Sequence, residues 1–287
     1  MNGGRWYVVR SVGGRGDKSA MGNATNRQLA VITGASSGIG LELARECVEH
    51  DFDVLICSRD RAGLEAARAH LAAAGAVVEA VASDLATFEG CERLADAIAS
   101  VGRPVDALLL NAGIGVNGKF IENDLAEELE SIALNVDAVV HIAKRVVPAM
   151  VARGKGRVLI TASVASTSPA PYLAVYGATK AFDLSFAEAL RYELKDTGVT
   201  VTALQPGATD TDFFARADME DTKVGQREKD DPADVARIGF EAMMEGKDKV
   251  IAASWKSKLE GYTGEILPEP AKAALQAGQT KPGSGKR

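Results

Sequence analysis

From residue 28 onward, the hydrophobic positions of the chain alternate between two rhythms. Short runs in which nearly every residue is apolar fall at 29–33, 54–57, 76–81, 105–110, 157–161, 199–204 and 250–252, and such runs read as strands buried on both faces. Between them lie longer stretches with apolar residues three to five apart, as Ile39, Leu43 and Val48 are. That spacing predicts helices over 38–50, 61–74, 88–100, 125–153, 175–196 and 232–244. Strands joined through helices of this length imply right-handed βαβ crossovers and a parallel sheet. The expected fold class is therefore α/β, a doubly wound parallel sheet of about seven strands in a three-layer α/β/α sandwich. No repeat or internal linker interrupts the pattern, so residues 28–267 read as one domain. Residues 1–27, with Gly3, Gly4, Gly13, Gly14 and Gly16, read as a flexible leader in which Met21 is an alternative start. Residues 268–287, rich in Pro, Gly and Lys, read as a flexible tail.

Composition narrows the function classes. The 287 residues are 46% hydrophobic and 25% charged, with a formal net charge of −6. That is the balance of a soluble protein able to bury a full core, and its sign argues against a general nucleic-acid or anionic-membrane binder. The longest apolar region, 132–151, is broken by Asp137, His141, Lys144 and Arg145. It reads as an amphipathic helix, and the first residues lack the apolar core of a signal peptide. Cys47, Cys57 and Cys91 lack metal or redox spacing, and His50, His70 and His141 stand apart. No metal site is expected, and the compartment read from the cysteines is a reducing cytoplasm.

The chemistry begins where the first strand meets the first helix, at Thr33-Gly34-Ala35-Ser36-Ser37-Gly38-Ile39-Gly40. Gly34 permits a tight turn, Gly38 removes a side chain where a pyrophosphate must approach, and Gly40 lets helix and sheet pack closely. The helix N-terminus then presents N–H groups and partial positive charge to phosphate. Further along stand Asp84-Leu85, Asn111-Ala112-Gly113, Asn135, Ser163, Tyr176-Gly-Ala-Thr-Lys180 and Pro206-Gly207-Ala208-Thr209-Asp210-Thr211. Each has a plain structural alternative: Asp84 a helix cap, Asn111 a backbone bond at a turn, Asn135 packing within a helix.

Taken in order, TGxxxGxG, the Asn-Ala-Gly turn with Leu110 ahead of it, a serine thirteen residues before YxxxK, and PGxxxT resemble the short-chain dehydrogenase/reductase family over residues 28–255. The resemblance implies a Rossmann-type fold and an oxidoreductase interconverting a carbonyl and a secondary alcohol by hydride transfer. It assigns Asn135, Ser163, Tyr176 and Lys180 to catalysis. Gly34, Ser36, Ser37, Gly38, Ile39, Gly40, Ser58, Arg59, Asp84, Leu85, Asn111, Ala112, Gly113, Pro206, Gly207, Thr209 and Thr211 become cofactor contacts, joined by Tyr176 and Lys180. Ser58 stands where the family's NAD enzymes carry an acidic residue, and Arg59 follows it. A carboxylate there would repel a 2′-phosphate, whereas Arg59 pairs with one, so NADP(H) is the expected cofactor, with NAD(H) a weaker alternative.

On this reading Lys180 and the oxidised nicotinamide pull the Tyr176 pKa down from its ordinary value near 10. Tyr176 then exchanges a proton with the substrate oxygen while Ser163 holds that oxygen, and Asn135 holds a water that relays protons. Residues 210–229 fall where the family places its substrate lid. The family's dimers and tetramers pair the helices starting near Leu125 and Val175, so a homodimer or homotetramer is expected. The rival reading is a catalytically silent NADP(H)-binding sensor or scaffold on the same fold.

Overall fold

The computed structural model describes residues 27–252 and 268–285. Seven parallel strands form one sheet: β1 (Gln28–Thr33), β2 (Phe52–Ser58), β3 (Val78–Ala82), β4 (Ala107–Leu110), β5 (Gly156–Thr161), β6 (Val199–Pro206) and β7 (Lys249–Ala252). Their order is β3-β2-β1-β4-β5-β6-β7, and every pairing is parallel. The fold is the expected three-layer Rossmann-like sandwich. Successive strand residues point to opposite faces, so each strand feeds two cores. Ala30, Ile32, Val54, Ile56 and Leu109 meet helices α1 (Gly38–Glu49), α2 (Arg61–Ala73) and α9 (Pro232–Met244). Val31, Leu55, Leu108, Val158 and Val201 meet α3 (Phe88–Ser100), α5 (Ala138–Arg153) and α6 (Ala174–Glu193). With both faces covered, each fully buried Leu, Ile or Phe contributes about 1.5–3 kcal/mol.

Strand order reverses between β1 and β4, so the chain leaves these neighbouring strands toward opposite faces and a crevice opens at their C-terminal ends. At the other end of β2, the buried Asp53 carboxylate accepts hydrogen bonds from the Val77 N–H at 2.9 Å and Arg103 Nη1 at 2.6 Å.

Two expectations change. The long helix predicted over 125–153 is interrupted: α4 (Leu125–Ile132) passes through a π turn, Ala133–Asp137, before α5. Such turns insert one extra residue into a helix and recur at functional sites, and this one contains Asn135. The stretch 268–287, expected as a flexible tail, instead holds helix α10 (Glu269–Thr280). It is docked: Thr280 Oγ1 donates to the Pro171 carbonyl at 2.7 Å, and Asn117 Nδ2 donates to the Thr280 carbonyl at 2.9 Å. Its Pro and Gly content misled because Pro268 and Pro270 fall at the helix start, where proline is tolerated. The expected leader lies outside the described residues apart from Arg27.

Candidate active site

A cavity of about 490 Å³ lies at the C-terminal edge of the sheet. Every residue assigned above to catalysis or cofactor contact lines it except Asn135, which packs against Gly113 of its wall. At one end is the glycine turn. Gly34 and Gly38 have φ of +71° and +55°, a region that disfavours any side chain. A Cβ on Gly40 would sit 2.2 Å from the Gly34 carbonyl oxygen, and one on Gly38 would sit 2.9 Å from Thr211 Cγ2. Side chains cap the N-termini of α2 (Asp60), α3 (Thr87), α4 (Asp124) and α9 (Asp231), but Ser37 gives α1 no side-chain cap. The first-turn N–H groups of α1 are thus left for an anion, and the glycines leave it backbone-close access, which fits a dinucleotide pyrophosphate.

Next to this turn the Ser36 and Ser58 hydroxyls lie 2.9 Å apart. Asp60 is spent on capping α2 through the Ala62 and Gly63 N–H groups, which turns it away from the role of ribose acceptor. Arg59 pairs instead with Glu130 of α4, a partner 71 positions away that sequence reasoning did not find. Asp84 accepts from the Ala86 N–H at 3.1 Å, and Thr87 rather than Asp84 caps α3. Asn111 takes the structural role open to it: its Nδ2 donates to the Thr33 carbonyl and its Oδ1 accepts from Thr161, tying β1 to the ends of β4 and β5.

At the other end stand Ser163, Tyr176 and Lys180. Ser163 follows β5 and begins a short 3-10 turn, Val164–Thr167. Its hydroxyl accepts from the Ala165 N–H at 3.1 Å, while its own N–H donates to Ser166 Oγ. This reciprocal cap fixes the serine at the cavity wall, close to Tyr176. Tyr176 and Lys180 lie one turn apart on α6. Tyr176 is half-buried. Burial raises the phenol above its ordinary value of 10, outweighing Lys180 and Ser163, which pull it down. Lys180 pulls in the expected direction but does not prevail over burial. One reason is a residue that sequence reasoning missed: Lys180 Nζ donates to Asp183 Oδ2 at 2.9 Å as well as to the Thr161 carbonyl at 2.8 Å. Burial opposes the Lys180 ammonium, but Asp183 and Tyr176 outweigh it and hold its pKa above the usual lysine value. An i, i+3 Lys-Asp spacing was the only signal for this pair, and it is common on solvated helix faces.

Asn135 is fully buried with its amide in use. Its Nδ2 donates to the Ile114 carbonyl and to Thr179 Oγ1, both at 2.9 Å, and its Oδ1 accepts from the Ile114 N–H. Its side chain therefore anchors the loop after β4 to α6. Gly113 packs against the same point, where a Cβ would lie 3.4 Å from Lys180 Nζ.

The cavity continues under the segment after β6. Its short helices α7 (Phe213–Arg216) and α8 (Lys223–Gln226) bring Phe213, Phe214 and Val224 to the wall. The Phe213 ring lies 5.2 Å from that of Tyr176. Gln276, Gln279 and Thr280 of α10 close the far side. Cys57 also borders the cavity, but burial pushes its thiol up to about 12, which removes it as a nucleophile at neutral pH.

Comparison with known proteins agrees with this geometry. A family model for short chain dehydrogenases matches residues 28–222. The chain is 35% identical over 192 residues to a putative ketoacyl reductase of Streptomyces coelicolor, covering 66% of this chain and 73% of that one. It is 32% identical over 177 residues to ketoacyl reductase HetN of Nostoc sp., where the match spans 62% of each chain. Its fold is similar to that of a short-chain dehydrogenase from Sphingobium yanoikuyae in complex with NADPH. There the TM-score is 0.73, with 28% identity over 83% of this chain and 94% of that one. A doubly wound sheet with a glycine-lined anion cradle and a Ser-Tyr-Lys cluster at one crevice defines a nucleotide-dependent oxidoreductase fold, and the chain belongs to the short-chain dehydrogenase family. No helix among the described residues is long and apolar enough to cross a membrane.

Proposed function

We propose that this protein is an NADP(H)-dependent oxidoreductase interconverting a carbonyl and a secondary alcohol, with Tyr176 as general acid and base. The observation that carries this reading is a single crevice with the uncapped start of α1 at one end and Ser163, Tyr176 and Lys180 gathered at the other. A nicotinamide cofactor bound along it supplies or accepts the hydride. The Ser163 hydroxyl, aimed by its turn, donates to the substrate oxygen as negative charge gathers there. Tyr176 gives its proton to that oxygen in reduction and takes one back in oxidation. A phenol is protonated at neutral pH, the form that reduction requires, and burial favours that form. Lys180 supports the phenolate as it forms and offers its remaining N–H to the nicotinamide ribose, while Thr209 and Thr211 hold the carboxamide end. Arg59, released from Glu130, takes the 2′-phosphate, with Ser36 and Ser58 beside it.

The apolar wall of Phe213, Phe214 and Val224, and the ketoacyl reductases among the relatives, support a medium-sized acyl ketone as substrate. A cytoplasmic setting suits three buried free thiols. The face of α4 and α6 that carries exposed Leu125, Leu129 and Phe182, with a groove lined by Phe120, Ile132 and Val175, supports a homodimer or homotetramer. The test is a panel of ketones assayed by NADPH absorbance at 340 nm (roughly the reduced-nicotinamide band). Turnover of an acyl ketone is expected. Tight NADPH binding with no turnover of any ketone would favour a silent sensor.

A further inference from the structure

Asp183 is fully buried, yet it is held by a single side-chain bond. Oδ2 accepts from Lys180 Nζ, while Oδ1, equally buried, has no hydrogen-bond partner among the described residues. A carboxylate kept for stability alone would have both oxygens satisfied, because an unmatched buried acceptor is costly. A Leu in its place would pack against the sheet without that cost. The position of Asp183 therefore calls for an explanation, and its side-chain hydrogen-bond partner among the described residues is the lysine of the site.

We infer that Asp183 is a positioning residue whose carboxylate, 2.9 Å from Lys180 Nζ and shut off from water, keeps the buried lysine charged and aimed along the crevice. Lys180 is itself only 4% exposed. Without a counter-ion, burial would drive such an amine toward its neutral form, and the support it gives Tyr176 would vanish. Among the described residues no other carboxylate pairs with Lys180. On α6 the charged or titratable groups facing the lysine are Tyr176 and Asp183 alone. From β5 comes the Thr161 carbonyl, from the 3-10 turn the Ser163 hydroxyl on Tyr176, and from the π turn the Asn135 amide by way of Thr179. Asp137 of that turn is exposed, Glu128 of α4 is bonded to Asn123 and Glu130 to Arg59, and β6 carries no ionisable residue. Burial raises the Asp183 carboxyl despite Lys180, so the two groups titrate as a pair.

This inference rests on the function proposed above, but its test does not. The side-chain resonance of Lys180, identified by its loss in Lys180→Met, is followed against pH in the free protein. In wild type it stays in the ammonium form beyond the ordinary lysine value of about 10.4. In Asp183→Asn its midpoint falls by about one to three pH units, and Asp183→Glu restores it. Equal midpoints in wild type and Asp183→Asn would overturn the proposal. In the alcohol-oxidation direction, kcat/KM of Asp183→Asn loses activity on the alkaline side at the pH where its Lys180 titrates. A uniform loss at every pH would instead mark Asp183 as structural and overturn the proposal. If the resonance moves and no ketone is turned over, the ion-pair role holds and the proposed function fails. Should Asp183→Asn not fold, thermal unfolding of Lys180→Met, Asp183→Leu and their combination decides the matter. The double variant is expected to melt above either single one, and additive losses would overturn the coupling.

Discussion

The pairing of Arg59 with Glu130 leads to a prediction whose two halves differ in size. Both side chains are open to water, at 55% and 37% exposure, so their ion pair is worth about 0–1 kcal/mol. A charge-assisted hydrogen bond from Arg59 to a 2′-phosphate is worth about 1.5–3 kcal/mol. The phosphate therefore wins, and Glu130 imposes only a small handicap on NADP(H). At about 1.4 kcal/mol per tenfold, Arg59→Ala should weaken NADPH binding by about 10- to 150-fold and leave NADH nearly unchanged. Glu130→Gln should tighten NADPH binding by no more than about fivefold. Because both contacts are exposed, the NADPH advantage should shrink as ionic strength rises past the range where the screening length is about 10 Å. Cofactor Kd from fluorescence titration, with kcat/KM for both cofactors in the wild type and each variant, provides the test. If wild type prefers NADH, or Arg59→Ala weakens both cofactors equally, the assignment of Arg59 is wrong.

Two further outcomes follow from close contacts. Gly40→Ala places a methyl group 2.2 Å from the Gly34 carbonyl, so the turn and α1 must separate. The expected cost is about 1–3 kcal/mol of stability, with a larger proportional loss of cofactor affinity, read by thermal unfolding and NADPH titration. Asp53→Ala removes, at the end of the sheet far from the crevice, the acceptor of the Val77 N–H and of Arg103, which keeps its bond to the Arg27 carbonyl. A loss of about 1–3 kcal/mol is expected, seen as a fall of several degrees in Tm, while kcat at low temperature holds.

Much of the fold was legible because strand and helix periods differ, and alternation of the two leaves few arrangements open. The site was legible where it is local. The glycine turn runs through eight consecutive residues, and Tyr176 and Lys180 share a helix face, so neither needs the tertiary structure to be found. What escaped was set by distance or by competition. Glu130 reaches Arg59 across 71 positions, and nothing in either segment marks the other. Asn111 and Asn135 carry amides that bond backbone as readily as ligand, and only the packed structure shows where those bonds go. The downward shift expected for Tyr176 treated Lys180 as a free cation, whereas the fold supplies burial and the Asp183 carboxylate against it. Helix α10 was masked by proline and glycine whose meaning depends on position within an element.

The most direct measurement on the central claim is Tyr176→Phe, which removes one hydroxyl and keeps the ring against Phe213. NADPH titration of this variant should match wild type, while turnover of the best ketone should fall by about 10²–10⁴ or more. Turnover close to wild type, with the cofactor bound as tightly, would contradict a proton carried by this phenol.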